Sequence, residues 1–191
     1  MKSWNNFAIL TLLVLFGVAF FERTLADLGP NRELITVFMV VSSLVLSRKN
    51  SLTLMALLLI GTDLVIGNTN IFLFTWSGFL LPLLLAPWLV RLTSSQAWKT
   101  MLFGTTFGLG SNIFFFLWTN FGVWLFDSWN MYPNTLAGLT LSYLNGLPFL
   151  RAQLTTTLIA LPIGIGMLIT AKALDHQFNL SSEKSAVASE K

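Results

Sequence analysis

The chemically most telling residue in this sequence is Asp63, the only carboxylate inside an apolar run. An ionisable group within a membrane span is costly and is by default a functional candidate. Asp63 could contact a ligand or an ion from inside a helical bundle, or it could hydrogen-bond the turn Gly67-Asn68-Thr69-Asn70 that follows it. A second signal is the recurrence of Gly104, Gly108 and Asn112 at intervals of four, which puts all three on one helical stripe. Small residues at that spacing let helix backbones approach closely, and an amide facing lipid would cost several kcal/mol. That stripe is therefore expected to face protein. A third signal is the run of Trp118, Trp124, Trp129 and Tyr132 interleaved with Asn120, Asp127, Asn130 and Asn134. It reads either as the aromatic belt of a membrane interface or as a stacking lid over an organic ligand. Asp63, Asn112, Asn120, Trp124 and Tyr132 are the candidate ligand-binding set.

Other chemistries lack their parts. With no cysteine and one histidine, His176, there is no thiolate or multi-histidine metal site, no disulfide and no cysteine nucleophile. No G-x-x-x-x-G-K-[ST] loop is present to hold a nucleotide. An intramembrane hydrolase would need paired carboxylates, a serine with a base, or a metal, and Asp63 is alone in its membrane region. The chain is thus read as a non-enzyme without cofactor or metal. Its formal charge of +3 comes without any Lys/Arg cluster that could track phosphates, so nucleic acid is not an expected partner.

The elements that must position these residues follow from composition. The 191 residues are 54% hydrophobic and only 10% charged, well under half the charge of an average soluble domain. This is the composition of a polytopic membrane protein: an all-α bundle of about six transmembrane helices. The runs are Phe7 to Phe21, Leu34 to Leu46, Leu52 to Ile66, Ile71 to Val90 with Pro82 and Pro87, Trp98 to Trp118, and Ala152 to Ala171. The first could alternatively be a cleavable signal peptide, with Gly17-Val18-Ala19 as a crude processing site. Runs two and three would cover only about 20 Å each. Between the last two runs, Thr135 to Leu150 has helical periodicity and is read as a re-entrant or surface helix. Pro148 would disrupt its last turn, and Pro162, Gly164 and Gly166 would loosen the final span.

Basic residues favour the cytoplasmic side of short loops. Lys2, Arg48-Lys49, Arg91 with Lys99, and Lys172 all fall on one side of a six-span arrangement. Both termini are then expected in the cytoplasm, and Asp63, Asn112 and the aromatic segment lie in the outer half. Residues 1–178 form a single membrane domain, and 179–191, rich in Ser, Ala, Glu and Lys, reads as a disordered cytoplasmic tail.

Thr119-Asn120-Phe121-Gly122-Val123-Trp124, then Met131-Tyr132-Pro133, Thr135, Gly138-Leu139, Tyr143 and Leu147-Pro148-Phe149, resembles a bacterial family of small, uncharacterised integral membrane proteins. Gly29-Pro30-Asn31 and Asp63-Leu64-Val65-Ile66-Gly67 are similar to further stretches of it. The six-span arrangement with inside termini also looks like the substrate-binding S-components of energy-coupling-factor importers, although Phe7 to Phe21 lacks their A-x-x-x-A docking pattern. The second resemblance implies capture of a small organic solute in an outward pocket and partnership with membrane energy-coupling subunits. The expected function is solute uptake in the bacterial cytoplasmic membrane. The alternative is a ligand-free scaffold of an envelope-assembly complex, in which the packing stripes recruit other membrane proteins.

Overall fold

The computed structural model describes residues 6–26, 34–67, 69–93, 96–127 and 130–189. Among them the secondary structure is helical throughout. In chain order these helices are α1 (Asn6–Phe21), which runs on into a π-helical turn (Glu22–Ala26), α2 (Ile35–Val45), α3 (Arg48–Ile66), α4 (Phe72–Leu83), α5 (Ala86–Thr93), α6 (Ala97–Phe126) and α7 (Leu136–Ser189). Five apolar segments are long enough to cross a bilayer: Asn6–Leu25, Arg48–Ile66, Phe72–Thr93, Ala97–Phe126 and Leu136–Ser181. The protein is a multi-pass membrane protein.

The sixth apolar helix, α2, has only 11 residues. Every residue from Ile35 to Ser43 is buried, because a helix whose only polar groups are three hydroxyls has no charged face to turn outward and is enclosed by its neighbours. Ser42 and Ser43 return their hydroxyls to the carbonyls of Met39 and Val40, so neither places an unpaired donor in this core. The turn into α3 is capped by Ser47, whose side chain accepts the Asn50 amide.

Two elements differ in extent from the expectation. α6 does not end near Trp118 but continues to Phe126, 30 residues in all. Its last turns hold because Trp118, Phe121 and Phe126 pack their rings on Phe74 of α4. Asp127 then stops the helix in the left-handed region, with φ of 40°. The segment Thr135 to Leu150 is not a separate re-entrant or surface helix. Helical backbone runs from Leu136 through Pro148 and Pro162 to Ser189, so this segment forms the first turns of α7. A proline removes one intrahelical bond, but the turns just before Pro148 are anchored to α6, where Ser142 donates to the Asn120 carbonyl and Tyr143 to that of Leu117. Helix also continues over 179–189, where composition favoured disorder.

α6 and α7 form the principal seam. A side-chain carbon added at Gly104 would meet Ile165 of α7, and one at Gly108 would meet Leu161. Asn112 completes the stripe by bonding to Thr157.

Candidate functional site

The π-helical turn that ends α1 carries two charged residues, Glu22 and Arg23. Glu22 is buried and its Oε2 accepts the Leu34 amide, 3.2 Å away, just before α2 begins. A carboxylate at a helix N-terminus satisfies an orphan donor and opposes the helix dipole favourably. Arg23 points to α3, where its Nη2 lies 3.0 Å from Asp63 Oδ1, with both side chains 8% exposed. The other carboxylate oxygen of Asp63 accepts the indole N–H of Trp76 from α4. Asp63 therefore joins α1, α3 and α4, and its charge is answered by a guanidinium and a ring donor. Burial this deep is tolerable only because both charges are paired.

An aromatic layer carries this end of the bundle across to α6. Trp76 packs edge-on against Phe72, and the adjacent Ser77 accepts the Trp118 indole N–H at 2.7 Å. Phe121 stacks on Trp118 and contacts Trp124. Trp124 in turn donates to the Pro133 carbonyl at 3.2 Å, tying the α6–α7 connection to the end of α6. Asp127 shapes that connection, since its Oδ1 accepts the amides of Met131 and Tyr132. Tyr132 is buried, and its hydroxyl accepts from Asn145 of α7. Asn120 returns its side-chain amide to the Phe116 carbonyl, while Gly146 lies so close that a side-chain carbon there would meet the Asn120 amide group.

Four of the five expected residues thus share one end of the bundle, in two groups. Asp63 belongs to the α1–α3–α4 cluster; Asn120, Trp124 and Tyr132 belong to the α6–α7 seam. The fifth, Asn112, is elsewhere. It lies two turns deeper on α6, 1% exposed, accepting from Thr36 of α2 at 2.8 Å and donating to Thr157 of α7 at 2.6 Å. Its amide also reaches the Gln153 carbonyl at 3.4 Å. Asn112 acts as a polar pin through the centre of the bundle. Trp129, Asn68 and Gly29-Pro30-Asn31 lie outside the described residues. Among the described residues, no three His, Asp or Glu side chains gather as metal ligands.

Sequence reasoning missed Arg23, Glu22 and Trp76 as partners. Glu22-Arg23 directly continues the first apolar run without a turn residue, a sign that the helix carries them into the bundle. The same holds for Thr36 and Thr157, which look like ordinary hydroxyls within apolar runs.

Residues 1–178 match the family of unknown function DUF6580, and the chain belongs to that family. No curated protein and no solved structure matches the chain.

Proposed function

We propose that this chain is a solute-binding protein of the uptake type, set in the bacterial cytoplasmic membrane with six crossings and both termini inside, and S-component-like in its division of labour. It captures a small organic molecule at the end of the bundle that carries Asp63, Asn120, Trp124 and Tyr132, and leaves energy coupling to partner subunits. The observation that carries this reading is the Arg23–Asp63 pair held by Trp76. A purely structural bundle can often fill such a position with apolar side chains without losing stability, whereas an acid–base pair beside Trp76 can exchange one partner for the carboxylate or amine of an organic solute. No bond-making chemistry and no bound cofactor is part of the proposal.

Native mass spectrometry of the protein extracted from its host membrane tests it. A retained solute, lost in Asp63→Asn and in Trp124→Ala while the folded state persists, supports the reading, and a co-purifying ATPase module would specify importer coupling. A ligand-free protein with stoichiometric envelope-assembly partners overturns it. That second outcome is the scaffold reading, favoured by a specific observation: the polar groups of Asn112, Asn120, Trp124 and Tyr132 all find hydrogen-bond partners within the chain.

A further inference from the structure

The break between α4 and α5 opens a groove on the flank of the bundle, away from the cluster around Asp63. Pro87 has no N–H, and around it the amides of Leu84 and Leu85 turn back to Leu81 and Pro82 in three-residue steps. About 730 Å³ lies between the two short helices and α6 beside this turn. Leu84, Leu85 and Trp88 form one wall, and Phe103, Phe107 and Phe114 the other. Three of these, Leu84, Leu85 and Trp88, are 48–60% exposed, so the groove opens sideways towards the surrounding hydrocarbon. Gly110 lies in it, and a side-chain carbon there would meet nothing within 4 Å.

The groove itself is lined by apolar residues and two hydroxyls, and two basic residues lie within one helical turn of its lining. Lys99 heads the α6 stripe that continues through Phe103 and Phe107, with its Nζ 5.5 Å from the centre of the Trp98 ring. Arg91 is exposed in the last turn of α5, three residues after the lining residue Trp88 and so on its side of the helix. Among the described residues neither makes an ion pair. α6 also starts there, with no side-chain cap from Gln96 and no acid in its first turn, so its N-terminal amides add positive potential. Basic groups beside an intramembrane cleft are the chemistry that recognises anionic lipid head groups.

We infer that this groove is a binding site for an anionic phospholipid, with an acyl chain along Phe103, Phe107 and Gly110 and the phosphate at Arg91 and Lys99. It is independent of the solute site proposed above.

The test uses the full chain in detergent, delipidated and then titrated with phosphatidylglycerol or phosphatidylcholine of equal chain length, with bound lipid counted by native mass spectrometry. One phosphatidylglycerol is expected to be retained in preference to phosphatidylcholine. Arg91→Ala with Lys99→Ala lowers that preference by about 30-fold, each basic group near an anionic lipid being worth roughly fivefold. Gly110→Leu fills the groove and abolishes retention of either lipid. Should that variant melt early, Leu84→Trp narrows the mouth from an exposed position. Equal retention of both lipids, or retention indifferent to Gly110→Leu and Leu84→Trp, overturns the inference in favour of an ordinary lipid annulus. Displacement by inorganic phosphate with no binding of a fatty alcohol of the same length overturns it in favour of a free-phosphate site. A disulfide-linked dimer of Gly110→Cys would place a second copy in the groove and also overturn it.

Discussion

Arg23 and Asp63, 40 residues apart in sequence, meet at 3.0 Å with both side chains 8% exposed. Removing one partner leaves the other charged and buried, which costs about 3–5 kcal/mol. Asp63→Ala and Arg23→Ala are therefore each expected to lower the unfolding free energy by that order, while Arg23→Leu combined with Asp63→Leu costs less than either single change. Denaturant titration in a fixed detergent reads the three values. Two single variants within 1 kcal/mol of the parent would show that the pair is not sequestered from water.

Asn112 links α2, α6 and α7 through Thr36, Thr157 and the Gln153 carbonyl. Hydrogen bonds between membrane helices average roughly 0.6 kcal/mol each, and a buried group left unsatisfied costs about 1–3 kcal/mol. Asn112→Leu should thus destabilise the bundle by roughly 2 kcal/mol and loosen the α6–α7 seam. Accelerated hydrogen exchange along α7 near Thr157 is the expected signature, and unchanged exchange there would contradict it.

Two glycines predict opposite signs. A side-chain carbon at Gly108 collides with Leu161, whereas at Gly17 it meets nothing within 4 Å. Gly108→Ala should cost about 1–3 kcal/mol through overpacking, and Gly17→Ala should gain roughly 0.5–1 kcal/mol from reduced chain entropy. Melting temperatures of the two variants, measured side by side, check the contrast; equal shifts would refute it.

Asp127 combines a left-handed backbone with a carboxylate that accepts the Met131 and Tyr132 amides. Asn tolerates that backbone and keeps an acceptor oxygen, while Ala does neither. Asp127→Ala is expected to cost about 0.5–2 kcal/mol, the range for losing a helix-capping side chain, and to expose residues 130–135 to protease. Asp127→Asn should cut at close to the parental rate. Equal cutting of both variants would mean that the carboxylate does not hold the connection.

Composition and periodicity are local quantities, and what they determine here is local or global in a simple sense. A chain with 54% hydrophobic and 10% charged residues has to place its backbone in helices that cross a bilayer, since lipid offers no partner to an open N–H or C=O. The four-residue recurrence of Gly104, Gly108 and Asn112 likewise had to face another helix, and it faces Ile165, Leu161 and Thr157 of α7. The tertiary structure alone decided what Asp63 meets, because its partners come from α1 and α4 and no spacing rule joins residues 23, 63 and 76. It also decided the ends of the helices. Thr119 to Phe126 reads as a polar, aromatic connection, yet it stays helical because its rings pack on Phe74, and Pro148 fails to end a helix that is bonded to α6 before it through Ser142 and Tyr143 and after it through the Gln153 carbonyl. Local propensity is worth about a kcal/mol or less per residue for everything except proline, and burial against a neighbouring helix outweighs it.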